Sequence, residues 1–194
     1  MEQFNKVTST AALLGLSAVF VSLTAGAATS ASTEFSATIA YEGACDITVP
    51  TTVVFNSGDA VLPSLIEAGN AVAKKTFDLT LANCQGLGVT PKITVAGESN
   101  SKTGETLFLD ATASTATGYG ILLATDGNAN FKANINLAKV NTISASDDWD
   151  TDTRLTTING TVPMSATLSC GDCETEGRLG GELKSNVTFE FQYD

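Results

Sequence analysis

The chain contains no histidine and one tryptophan, and it is poor in basic residues: 10 lysines and arginines stand against 21 aspartates and glutamates in 194 residues. The absence of histidine removes the commonest general base. The net charge of −11 argues against nucleic acid or an anionic membrane as partner, because phosphate contacts need a basic face. No Gly-x-Ser-x-Gly elbow occurs. A carboxylate pair could hydrolyse glycosides unaided, but among 21 acidic residues no pair stands out. The sequence therefore reads as a non-enzyme with no cofactor and no metal. Internal repeats, low-complexity blocks and long stretches at helical period are also lacking. The best helical candidate, GDAVLPSLIEAGNA (58–71), is interrupted by Pro63 and Gly69 and reads as a loop with one helical turn.

The N-terminus is different in kind. Lys6 precedes the apolar run AALLGLSAVFVSL, and small residues follow in TAGAATSA. This is the pattern of a secretory signal peptide over residues 1–28, with cleavage near Ala27 or Ala28. The run is too short to span a bilayer comfortably. Export places the mature chain in an oxidising compartment, where disulfides persist. Cys45, Cys84, Cys170 and Cys173 allow three pairings. The economical one joins Cys45 to Cys84 and Cys170 to Cys173. The first closes a loop of about 39 residues, worth roughly 4 kcal/mol in the chain-entropy model, and the second at most about 2 kcal/mol.

Strand signals run through the rest. TEFSATIAYEG alternates Phe35, Ala37, Ile39 and Tyr41; CDITV alternates Cys45, Ile47 and Val49; TTVVF follows Pro50. KTFDLTLANC, PKITVAG, TLFLD, YGILLAT and TVPMSATLSC add further short runs bounded by turn residues. The last ten residues, SNVTFEFQYD, alternate Val187, Phe189, Phe191 and Tyr193 with polar partners, the period of a strand with one buried face. Many short strands at this spacing predict an all-β sandwich or barrel. Pro163 within one of them predicts an edge position or a bulge.

Three smaller constellations read as structural. Cys170-Gly171-Asp172-Cys173 has the spacing of a redox motif, but such motifs sit at a helix start in a βαβ setting, and the flanks here are strand and turn; a tight hairpin disulfide is expected. DDWDTD (147–152) places three aspartates at alternate positions, but it fails the EF-hand pattern at Thr153 and Asn159 and reads as a solvated loop, with Trp149 packing against a sheet. Asn159-Gly160 reads as a type I′ turn.

Taken in order, these features resemble the chaperone–usher fimbrial pilins of the type 1-like family. A leader is followed by an alternating segment, EFSATIAYEGAC, that ends at the first cysteine. A second cysteine lies about 40 residues on, in LTLANC. GYGILL resembles the family's mid-chain Gly-x-Gly-Ile strand. Gly181 precedes a terminal strand that carries Phe189, Phe191 and a penultimate Tyr193. The resemblance implies an incomplete immunoglobulin-like β-sandwich that lacks its last strand and is completed by a donor strand from outside. It implies residues 29–44 as an N-terminal extension bearing the donor residues Phe35, Ala37, Ile39 and Tyr41, and residues 45–194 as the pilin domain. Gly181, Val187, Phe189, Phe191 and Tyr193 would form the strand that meets a chaperone or the donor. The implied partners are neighbouring pilin subunits, a periplasmic chaperone, an outer-membrane usher and a host receptor. The implied location is a surface fimbrium reached through the periplasm, and the implied role is cell adhesion. One departure is Ala37, where the family usually has glycine. The alternative is a secreted, self-complete β-sandwich adhesin or lectin that binds host glycans, with residues 33–43 as an ordinary first strand of its own domain.

Overall fold

The structure is a computed structural model and describes residues 33–39 and 42–194. The expected signal peptide and Tyr41 lie outside the described residues. By compactness the chain divides into residues 1–38 and Ile39–Asp194. Of the first unit, residues 33–38 are described; they are exposed and form no regular secondary structure.

The second unit is all-β. Its strands are β1 (Glu42–Thr48), β2 (Lys74–Leu87), β3 (Pro91–Gly97), β4 (Ser99–Asn100), β5 (Leu107–Phe108), β6 (Gly120–Thr125), β7 (Thr142–Ser144), β8 (Gly160–Ser169) and β9 (Val187–Tyr193). They form a six-stranded sheet, β1-β2-β8-β6-β5-β4, and a three-stranded sheet, β7-β3-β9. Every ladder among the described residues is antiparallel. The single α-helix among the described residues is one short turn, α1 (Pro63–Glu67), inside the 58–71 stretch.

Alternation in the sequence becomes burial because both sheets turn one face inward. Leu79 and Leu81 on β2, Val162, Met164 and Ala166 on β8, and Leu123 on β6 meet Ile93 and Val95 on β3 and Ile143 on β7. Connecting segments add Phe131, Leu137 and Leu155 to this core. Residues 126–131 fold back tightly: Gly127 has φ +70°, and a Cβ there would lie 2.7 Å from the Ala133 nitrogen, so only glycine fits.

Several expectations need correction. TTVVF (51–55) is not a strand: the β1 ladder ends at Thr48, Pro50 removes a donor, and a turn with Asn56 and Ser57 at positive φ follows. TLFLD contributes only two strand residues. Asn159-Gly160 is not a type I′ turn, which needs positive φ at both positions; Asn159 has φ −55°, and its side chain is used instead to accept the Cys84 N–H at 3.0 Å. Pro163 lies in a strand flanked on both sides, but the β6 ladder stops at Met164. The Pro163 carbonyl accepts the Thr125 hydroxyl at 2.7 Å, so the side lacking an N–H faces a gap where no ladder bond is needed, a local edge within an interior strand.

Two disulfides are present, Cys45–Cys84 and Cys170–Cys173. The first crosses from β1 to β2 at a bulge, where the register jumps between Ala44 and Asp46 and Asn83 takes φ +53°. The second sits just past the end of β8 rather than in a hairpin, in a turn whose Asp172 N–H reaches the Thr103 carbonyl at 2.6 Å. Because its loop is so short, converting Cys170 and Cys173 to serine is expected to lower stability by at most about 2 kcal/mol. In hydrogen exchange, the loss of protection should be confined to the Asp172 amide and the 101–104 turn. A cooperative loss across β8 would contradict this.

A groove beside the terminal strand

β9 is held on one side only. Its full length pairs with β3, from Val187 opposite Gly97 to Tyr193 opposite Pro91. Its end is fixed by reciprocal backbone bonds between Asp194 and Thr90 at 3.0 and 2.9 Å and by a Lys92–Asp194 ion pair. No strand among the described residues pairs with its other edge. Ile93 and Val95 on the adjacent strand are fully buried, whereas Val187, Phe189 and Phe191 are only half-buried despite stronger alternation.

The reason is a groove of about 410 Å³ along that edge. Its floor is the inner face of the six-stranded sheet: Phe77 on β2, Ile121 and Leu123 on β6, Ala166 and Leu168 on β8. One wall is Val187 and Phe189; the other is the 49–55 segment that Pro50 diverts from β1. The rim is Leu183, Lys184, Ser185 and Asn186. At the far end β1 closes on β9, with Gly43 against the Tyr193 ring, 3.1 Å from where its Cβ would stand.

The approach to β9 is rigidly placed. Leu179 and Thr117 exchange backbone bonds at 3.0 Å, the Glu182 carbonyl accepts the Thr115 N–H at 2.8 Å, and the Lys184 carbonyl accepts the Asp110 N–H at 2.9 Å. Gly181 lies where a Cβ would come within 2.7 Å of the Ala116 nitrogen, so its small size permits this close approach. The Asp110 carboxyl is held below the ordinary carboxylate value, first by the Thr112 hydroxyl and then by the Ala113 N–H. Within this rim the Ser185 hydroxyl is buried and finds no partner among the described residues. A buried hydroxyl normally has one.

The residues singled out in the sequence are distributed as follows. Val187 and Phe189 line the groove, Phe191 packs against the core beyond it, and Tyr193 lies at its closed end. Phe35 and Ile39 are 92% and 87% exposed, and Ala37 is exposed as well; residues 33–39 join no strand. The groove floor is not legible in the sequence, because Phe77, Leu123 and Ala166 carry the same alternation as any core residue. No signal there distinguishes a floor from a filled core.

The other constellations do not gather into a site. The Trp149 indole N–H donates to the Val89 carbonyl at 3.0 Å and its ring packs on the core. Asp147 pairs with Lys132 at 2.5 Å, and Asp150 accepts the Asp152 N–H at 2.9 Å. Among the described residues no group of three or more His, Cys, Asp or Glu is placed to hold a metal.

Comparison with solved structures finds similarity to the crystal structure of the P pilus rod subunit PapA, at 16% identity and a TM-score of 0.43, over 84% of this chain and all of that one. No curated protein matches. A family model described as "Fimbrial protein" matches residues 33–194, which takes in the exposed 33–39 segment, both disulfides, the groove and the terminal strand. The chain belongs to the fimbrial protein family.

Proposed function

We infer that this fimbrial protein is a structural subunit of a surface fibre, not an enzyme, and that its sandwich is completed from outside by strand exchange. In this reading residues 1–28 direct export, residues 29–44 extend from the fold, and residues 45–194 form the pilin domain, with β1 starting slightly earlier, at Glu42. A periplasmic chaperone first covers the groove beside β9. At an outer-membrane usher the Phe35, Ala37, Ile39 and Tyr41 segment of the next subunit replaces it. The fibre carries the cell's adhesive contacts to a host receptor.

The observation that carries this reading is a mismatch within one chain. The groove presents half-buried Val187 and Phe189 over a floor of core side chains, while Phe35 and Ile39 are the most exposed large hydrophobic residues among the described residues. Each side chain transferred into such a groove contributes about 1.5–3 kcal/mol, against a whole-domain stability of about 5–15 kcal/mol. An exposed apolar strand edge is otherwise an aggregation hazard.

Phe35→Asp combined with Ile39→Asp in the full chain is expected to abolish surface fibres while leaving export, disulfide formation and chaperone capture intact. Electron microscopy and boiling-resistant ladders on unheated gels are the readouts. Normal fibres from the double variant would overturn strand exchange through this segment.

A further inference from the structure

We propose that residues 50–69, which carry the wall of the groove facing β9, are a hinged flap latched to the body of the domain by the Glu67–Arg178 ion pair. The proposal concerns the wall itself and stands whatever fills the groove.

The excursion begins where the chain leaves the β1 ladder at Thr48 and ends where it joins β2 at Lys74. Among the described residues, every backbone hydrogen bond made by residues 49–73 stays inside the excursion: the Leu65 and Ile66 N–H groups reach the Leu62 carbonyl, Ala68 reaches Ser64 and Asn70 reaches Leu65. The Asn56 side-chain amide also turns inward, to the Ala60 carbonyl at 3.1 Å. No residue from Val49 to Val72 is fully buried, although Val49 and Phe55 pack against the core. A segment with few buried apolar contacts and no ladder to its neighbours opens at low cost. Its ends suit a hinge. Pro50 starts it, and near its other end Gly69 has φ +61° with nothing within 4 Å of where a Cβ would stand, so the chain there has both conformational freedom and room to turn. The Cys45–Cys84 bridge fixes the two strands at its root.

The one polar tie between this excursion and the rest of the domain, among the described residues, is the Glu67–Arg178 pair. Its halves differ in mobility. Arg178 belongs to the body: Thr117 and Leu179 exchange backbone bonds at 3.0 Å, the Thr117 hydroxyl donates to the Gly177 carbonyl at 2.9 Å, and the Arg178 stem lies over Gly118, its Cγ 2.6 Å from where a Cβ would stand. Glu67 is the last residue of α1, where a carboxylate opposes the helix dipole. It adds nothing to the helix itself, and its favourable contact lies across the gap. The two side chains are 24% and 40% exposed, so the latch is open to solvent and salt and holds only lightly.

The test is hydrogen exchange on the exported full chain with both disulfides formed. A five-residue helix has no stability of its own, so detachment melts α1 and frees its amides. Arg178→Gln should speed exchange at Leu65, Ile66 and Ala68 roughly two- to fivefold, the worth of an ion pair of this exposure, and leave β8 and β9 unchanged. Glu67→Arg alone should also speed it, and Glu67→Arg with Arg178→Glu should restore the original rate. Added salt should speed exchange in the natural chain but not in Arg178→Gln. Val53→Cys, on the wall, should react with a bulky maleimide faster by the same factor when Arg178→Gln is present. Unchanged α1 exchange in Arg178→Gln would overturn the latch, as would a loss of protection spread over β8 and β9 or slower exchange in Glu67→Arg alone. Faster α1 exchange with unchanged Val53→Cys labelling would overturn the flap, because the wall would then not move with the helix.

Discussion

Replacing Cys45 and Cys84 together with alanine is expected to lower the stability of the subunit by about 2–5 kcal/mol. The bridge spans 39 residues, and closing such a loop removes much of the unfolded chain's freedom. Its position adds to this. It joins the outermost strand of the six-stranded sheet to its neighbour at a bulge, where ladder pairing is interrupted. Cys84 is buried in the core and Cys45 packs against it. β1 also closes the end of the groove through Gly43 and leads into the 49–55 wall, so loosening it should widen the groove. Denaturant titration of oxidised protein measures the loss. An effect below that of the Cys170–Cys173 replacement would show that the long loop is already constrained in the unfolded state.

Phe131→Ala is expected to cost about 3–5 kcal/mol, the usual range for removing a buried aromatic side chain. Phe131 is among the largest fully buried residues and belongs to the central cluster. Its backbone is locked in place, with the N–H donating to the Asn128 side chain at 3.0 Å and the carbonyl accepting the Asn128 N–H at 2.9 Å. The segment therefore cannot collapse into the space left behind. For a subunit with a groove along one edge, such a loss is a large part of a typical domain's total. It should lower the unfolding midpoint of the isolated subunit and, if a strand from a neighbour fills the groove as proposed, be tolerated better inside a fibre. Comparing unfolding midpoints of free subunit and fibre checks both statements. Equal destabilisation in the two would argue that the fibre adds nothing to the fold.

How far the sequence could be read depended on the length of the alternating run. KTFDLTLANC, PKITVAG, YGILLAT, TVPMSATLSC and SNVTFEFQYD each hold enough period-2 positions to identify a strand, and each contains one. β7 has three residues, too few to show a period, although Ile143 is fully buried. TTVVF has the β-branched composition of a strand but finds no ladder partner, because composition reports a preference and pairing needs a neighbour. Asn159-Gly160 looks like a hairpin turn until Cys84, distant in sequence, takes the asparagine side chain as its acceptor.

The sequence by itself determined that the chain is all-β, that its end is a strand with one apolar face, and that Phe35 and Ile39 lie in a second alternating segment far from it. These are local facts, carried by the two-residue period of an extended chain. Only the tertiary structure decided that the apolar face of β9 is left half-covered. That outcome depends on β9 pairing with β3, on Pro50 turning the 49–55 segment aside, and on which side chains of β2, β6 and β8 lie beneath the gap. Half-burial is a property of the space between two sheets, and alternation reads the same whether that space is filled by the chain itself or not.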